Sequence, residues 1–225
     1  MKYELTSLFD KAFSFWSNLS DDDKQQLLSS SQNITFEKGK NIHDGNECTG
    51  IIMIKTGCLR AYMLSDDGKE ITLYRLFPGD ICIFSASCVL KTVTFDVLID
   101  AEELSECVVV GGCAYEDLAA RVPEVKIFAL EAALAGFSEI MWVMQQILFM
   151  SMDKRLAVFL LDEISKSGTD TVKLTHEQIA KYMGSAREVV SRMLKYFVTE
   201  GIVSVTRSEG IKVLDKAKLR SIISR

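Results

Sequence analysis

The 225-residue chain is long enough for two small domains, and its formal net charge of −5 is the wrong sign for a protein that meets nucleic acid along its whole length. Six cysteines without a CxxC pair, two widely separated histidines, and no HExxH, phosphate loop or Gly-x-Ser-x-Gly argue against an enzyme. No N-terminal stretch resembles a signal peptide, and Glu139, Gln145 and Gln146 interrupt the most apolar run, Leu134 to Met150, so a cytoplasmic protein with reduced thiols and no membrane contact is expected.

In chain order, roughly Ile34 to Val110 reads as short strands: Gly50–Lys55, Cys58–Leu64, Glu70–Phe77, Asp80–Phe84, Val93–Ala101 and Cys107–Val110. Lys55-Thr56-Gly57, Asp66-Asp67-Gly68 and Pro78-Gly79-Asp80 are the turns between them. Strands of this length and spacing predict a barrel or jelly roll, with helices before it, over residues 1–122. Pro123 then opens a helical pattern that runs to about Met150, the second segment (123–150). Ile127, Leu130, Leu134, Phe137, Met141, Met144, Ile147 and Leu148 recur at three- and four-residue steps. A helix of that length spans about 42 Å and is apolar over so much of its surface that more than one side must be buried. It is either covered by another chain or buried within a monomer.

The third segment, 151–225, begins with a link and a helix over Ser151 to Gly168, with Lys154 and Arg155 near the hinge. Leu174 to Val213 reads as two short helices around a turn at Met183-Gly184-Ser185, followed by a β-hairpin, the pattern of a winged helix-turn-helix. Thr175 with Gln178, and Ser185 with Glu188, have capping-box spacing, and Gly201 is placed to end the second helix. On that helix Arg187, Glu188, Ser191, Arg192 and Lys195 share one face, while Val190, Met193, Leu194 and Phe197 share the other. Arginine forks suit guanine, glutamate accepts from cytosine, serine serves either role, and Lys195 is placed for a phosphate. The plain alternative is a solvated face with a Glu188–Arg192 ion pair. The caps, the glycine turn and the hairpin together favour the DNA-reading face, to which Thr175 and Ser185 at the helix starts also belong. Charge agrees: residues 151–225 hold 14 Lys and Arg against 9 Asp and Glu, residues 1–150 hold 12 against 22.

The segment IAKYMGSAREVVSRMLKYFVTEGIV closely resembles the recognition region of the Crp/Fnr family of bacterial transcription regulators. That family carries Glu-x-x-Ser-Arg or Arg-Glu-x-x-x-Arg, and Arg187-Glu188-Val189-Val190-Ser191-Arg192 satisfies both. The resemblance implies base contacts from Glu188, Ser191 and Arg192, Arg187 on a base or phosphate, and a palindromic site with half-sites like TGTGA or TTGAT. GIIMIKTGCLRAYMLSDDGKEITLYRLFPGD resembles the cyclic-nucleotide-binding-type double-stranded β-roll of the same family, with Gly57, Gly68, Gly79 and Asp80 at its turns. The implied fold is α+β: this β-roll, a long dimerisation helix and the winged helix-turn-helix. The implied protein is a homodimer on double-stranded DNA, with RNA polymerase a further candidate partner.

The resemblance also tests the effector. Cyclic-nucleotide binders of this fold place a glutamate after the Gly-Asp turn, an Arg-Ser or Arg-Thr pair on the phosphate, and Thr-Ser on the long helix. Here those positions hold Phe84 or Ser85, Phe95-Asp96 and Ile140-Met141, so cyclic AMP is not expected. Oxygen-sensing members of the family hold an iron–sulfur cluster on four thiolates, from an N-terminal set of cysteines plus one further in, and here none precedes Cys48. Haem needs an axial ligand; His43 is read in a turn and His176 at a helix start facing phosphate or solvent. A small ligand in a pocket of Phe84, Ser85, Ser87 and Cys88 ranks first, and thiol chemistry at Cys82 and Cys88 second. Cysteine as a small buried hydrophobe is the plain alternative. A non-DNA regulatory subunit on the same β-roll would not need the basic C-terminal third.

Overall fold

Runs of Ile, Val, Leu and Thr closed by glycine or aspartate turns make the N-terminal half a set of strands. The computed structural model describes residues 2–45, 47–66, 68, 70–90, 96–206 and 210–224. Helix α1 (Lys2–Ala12), a 3-10 turn (Trp16–Asn18) and α2 (Asp21–Ser29) lead into β1 (Ser31–Phe36), β2 (Asn41–His43), β3 (Ile51–Thr56) and β4 (Leu59–Leu64). Then come β5 (Glu70–Leu76), β6 (Ile81–Cys82), β7 (Leu98–Ala101) and β8 (Ser105–Val110). The chain divides into two compact units, Met1–Met63 with Leu73–Met141, and Leu64–Thr72 with Trp142–Arg225.

The eight strands form two sheets, ordered β1-β8-β3-β6 and β2-β7-β4-β5. Among the described strands, only β4 and β5 are neighbours both in sequence and in a sheet; every other connection between them crosses between sheets, as in a jelly roll. Pairing is antiparallel, with Ser31 opposite Val110 through to Phe36 opposite Ser105, and Ile51 opposite Val110 on the other side of β8. Ile51, Ile52, Leu59, Ala61, Ile99, Val108 and Val110 are wholly buried between the sheets and the flanking helices. Ser105 staples the sheets: its buried hydroxyl accepts from the Cys58 N–H (3.1 Å) just before β4 and donates to the Glu103 carbonyl (2.8 Å).

Gly57, Gly68 and Gly79 have positive φ, as the turns require; Asp67, the centre of the second turn, lies outside the described residues. β6 is shorter than the expected Asp80–Phe84 because the chain turns after Cys82. The Ser85 hydroxyl shares its proton between the carbonyls of Gly50 (2.7 Å) and Cys82 (3.1 Å). The strand expected from Val93 begins at Leu98, and residues 93–95 lie outside the described residues. His43 is in β2 and buried, with Nδ1 2.9 Å from the Thr49 hydroxyl, and burial lowers its pKa, which favours a neutral ring.

An aromatic group of Phe9, Phe13, Phe15, Trp16, Tyr115 and Phe128, with centroids 5.0 to 6.3 Å apart, joins the N-terminal helices to α3 (Gly112–Arg121) and α4 (Pro123–Phe149). α4 matches its expected limits. Of its 27 residues only Val125, Ala129 and Ile140 are buried. Trp142–Arg225 holds α5 (Met152–Ser167), β9 (Thr171–Val172), α6 (His176–Met183), α7 (Arg187–Thr199), β10 (Val203–Thr206), β11 (Gly210–Val213) and α8 (Lys216–Ser224). β10, β11 and β9 form an antiparallel sheet whose hairpin tip, residues 207–209, lies outside the described residues.

Ser105→Ala removes the acceptor of the Cys58 N–H inside the core, and about 1–3 kcal/mol of stability is expected to go with it. Urea unfolding measures this, with the midpoint falling at unchanged m-value; an unmoved midpoint would show that the staple contributes nothing.

Candidate nucleic-acid interface

α6 starts on a reciprocal cap. The Thr175 hydroxyl accepts from the Gln178 N–H (3.1 Å), and the Gln178 carboxamide oxygen accepts from the Thr175 N–H (2.8 Å). It ends at Gly184 (φ 57°, ψ 43°), where the Ser185 N–H reaches the Ala180 carbonyl (2.9 Å) and the Gly184 N–H the Lys181 carbonyl (3.3 Å). The Arg155 guanidinium donates to the Met183 carbonyl, placing a cation at the negative end of α6. This ties Arg155 into the helix-turn-helix itself, a role its place near a hinge did not suggest.

The second capping box does not form. Ser185 is still part of the exit from α6, so the residue that adopts the extended cap conformation is Ala186 (φ −86°, ψ 145°), and no side chain caps α7. The far end of α7 closes as expected: Gly201 has φ 66°, the Ile202 N–H bonds the Phe197 carbonyl (2.9 Å) and the Gly201 N–H that of Val198 (3.0 Å).

These ends fix which way α7 faces. Val190, Leu194 and Phe197 are buried with Leu156 and Leu160 of α5, Ile179 of α6, and Leu219 of α8, and Met193 is half-buried against them. Arg187, Glu188, Arg192 and Lys195 are exposed on the opposite side. Among the described residues, neither Glu188 nor Arg192 is in an ion pair, so both remain available to a ligand. Ser191 is half-buried on this face, its hydroxyl 2.9 Å from Nδ1 of His176. That contact joins residues 15 apart, and nothing in the sequence announces it. Thr175 is exposed and Ser185 half-buried near the same turn. The face presents two guanidinium forks, a carboxylate, a hydroxyl and an ammonium, the donor and acceptor set that reads base edges and phosphates.

Among the described residues, Phe84 and Cys88 border different cavities. Phe84 borders a cavity of about 200 Å³ with Tyr74, Arg75, Ala132, Gly136 and Glu139. Cys88 borders a different one of about 320 Å³, with Leu90, Glu116, Lys126 and Ala129. Ser85 is wholly buried and its hydroxyl is spent on the two carbonyls, while Ser87 is exposed. Cys82 is wholly buried, and burial pushes its thiol pKa up, which makes it a poor nucleophile. Cys88 is bonded to Cys48, not to Cys82, because β6 turns back towards the loop before β3 and brings residues 48 and 88 together at a Cα separation of 5.7 Å. The expectation of six reduced thiols fails at this pair. Cys58, Cys82 and Cys107 behave as small buried hydrophobes, and burial lifts the Cys107 pKa to about 11.

A jelly roll, a long helix and a basic winged helix-turn-helix define a DNA-binding regulator. The Crp-like helix-turn-helix domain family matches residues 154–222. The structure is similar to that of a Crp/Fnr-family transcriptional regulator from Eubacterium rectale, with 40% identity, a TM-score of 0.88, and coverage of 95% of this chain and 99% of that one. Regulatory protein HlyX of Actinobacillus pleuropneumoniae is 27% identical over 172 residues, 72% of this chain and 69% of that protein. An anaerobic regulatory protein of Haemophilus influenzae is 28% identical over 172 residues, 72% of this chain and 64% of that protein. The chain belongs to the Crp/Fnr family of transcription regulators, a family without enzymatic activity.

The corrected caps separate two serine/threonine positions. Thr175→Ala is expected to cost about 0.5–2 kcal/mol of folding stability, whereas Ser185→Ala, outside any cap, should stay within about 0.5 kcal/mol. Thermal melts of the two variants check this, and equal losses would restore Ser185 as a cap.

Proposed function

We propose that the protein is a homodimer that reads a palindromic DNA site with two copies of α7, under control of a small effector other than cyclic AMP. The observation that carries this is the exposed Arg187, Glu188, Arg192 and Lys195 face on a helix whose other side is buried. Glu188, Ser191 and Arg192 contact bases, Arg187 a base or a phosphate, Lys195 a phosphate, and Thr175 and Ser185 face the backbone at the helix starts. The half-site is of the TGTGA or TTGAT kind. Binding-site selection from random DNA distinguishes the two.

Dimerisation rests on α4. Ile127, Leu130, Leu134, Phe137, Met141, Met144 and Leu148 follow one another at alternating steps of three and four, the seam of a left-handed coiled coil, and all seven are exposed in the single chain. By length and composition alone α4 is apolar enough to cross a membrane. In a DNA-binding regulator the same apolar seam is accounted for by a second copy, which also sets two recognition helices about 34 Å apart. The effector binds in the β-roll, where the cavity between Phe84 and α4 is the favoured site. We divide the chain into a sensor (1–122), a dimerisation helix (123–150) and a DNA-binding domain (151–225), acting in the cytoplasm with RNA polymerase as the further partner.

Gel-shift titration against salt tests the DNA reading: affinity must fall steeply as salt rises, and a flat response would refute it. Arg192→Ala is expected to cost about 1–3 kcal/mol and relax one base position, while Lys195→Ala weakens all sequences alike. Sedimentation in detergent-free buffer tests the dimer. The wild type should run as a dimer and Leu134→Glu as a folded monomer with reduced affinity for the full palindrome; a monomeric wild type at micromolar concentration would sink the coiled-coil assignment.

A further inference from the structure

Ser191 sits in the middle of the exposed α7 face, but its hydroxyl is held. Nδ1 of His176, the first residue of α6, lies 2.9 Å away, and both side chains are half-buried. A hydroxyl has one proton and two lone pairs, and a neutral imidazole nitrogen either donates or accepts, never both. When Nδ1 carries no proton, the hydroxyl donates to the ring and offers a base only lone pairs. It then selects an amino group, adenine N6 or cytosine N4. When Nδ1 carries the proton, the hydroxyl accepts from the ring and its own proton points outward. It then selects an acceptor, guanine O6 or N7, adenine N7 or thymine O4, and leaves cytosine N4 unread.

We infer that His176 is a specificity-determining residue that acts through Ser191, its ring proton deciding whether Ser191 reads a donor or an acceptor on the base. This rests on the proposal that Ser191 faces a base. His176 needs no DNA contact of its own for this role; it is a positioning residue that fixes the direction of one hydroxyl. The two groups come from different helices, so the device exists only where the turn at Gly184 docks α6 on α7.

The test uses the full-length protein and four operators that differ only at the base pair where Ser191→Ala levels the preference. The wild type should favour one class of base at that pair by about three- to tenfold, the range of one net hydrogen bond. His176→Ala should bring that preference below about twofold, with the salt slope and non-specific affinity unchanged. Added to Ser191→Ala, it should change nothing further. The inference is overturned if His176→Ala weakens all four operators equally, or if it shifts preference as much without Ser191 as with it. If Ser191→Ala levels no position, base reading by Ser191 fails and the inference falls with it. If Ser191→Ala does and His176→Ala does not, only the inference falls.

Discussion

Val190, Leu194 and Phe197 insert from α7 into a core shared with α5, α6 and α8, and that insertion decides which α7 residues remain outside. A helix of 13 residues has little freedom once three of its side chains are wholly buried. Rotating it one residue forward would bring Lys195 into the core, where an unpaired charge is far costlier than any gain in packing, and one residue back would replace Leu194 and Phe197 there with Met193 and Tyr196. The outward set of Arg187, Glu188, Arg192 and Lys195 is therefore a consequence of core packing, and the chemistry of the face follows from it. The glycine exits at Gly184 and Gly201 and the Arg155 guanidinium on the Met183 carbonyl secure both ends of the arrangement.

α4 obeys the opposite logic. Its own chain buries only Val125, Ala129 and Ile140, leaving most of its apolar side chains in contact with solvent. A soluble monomer rarely carries so continuous an apolar strip. The strip keeps the three-four alternation over 22 residues, Ile127 to Leu148, a longer regularity than packing on one small jelly roll requires. In the proposed dimer a second copy covers this surplus and supplies the second reading helix.

Much of this was legible in the residues because the signals are local. Thr175 and Gln178 are three apart and form their box; Gly201 ends α7; Pro123 opens α4; the turn glycines have positive φ. All but one of the failures share a cause, a partner distant in sequence. β1 begins with the polar run Ser31-Gln32-Asn33 and is a strand because β8 lies beside it, so its evidence is in a partner some 75 residues away. α8 carries little apolar periodicity beyond Leu219 and Ile222, which α5 covers. The Ser185–Glu188 spacing was right for a cap, but the turn before it consumed Ser185. The Cys48–Cys88 and His176–Ser191 contacts are products of the tertiary fold, and residue type and spacing carry no trace of them.

On the proposed reading of DNA by α7, the separation of its faces bears on how such a regulator acquires new targets. Residues that hold the helix and residues that face outward are different sets, so exposed positions such as Arg187, Glu188 and Arg192 are open to exchange at little cost to folding, within about 0.5 kcal/mol for surface sites. Divergence in recognition is then unconstrained by the core at those positions. Ser191 is the exception, because its neighbour on α6 must change in concert if the hydrogen bond is to survive. Two lineages that drift apart at the exposed arginines can do so one residue at a time, whereas drift at Ser191 is expected to proceed in pairs.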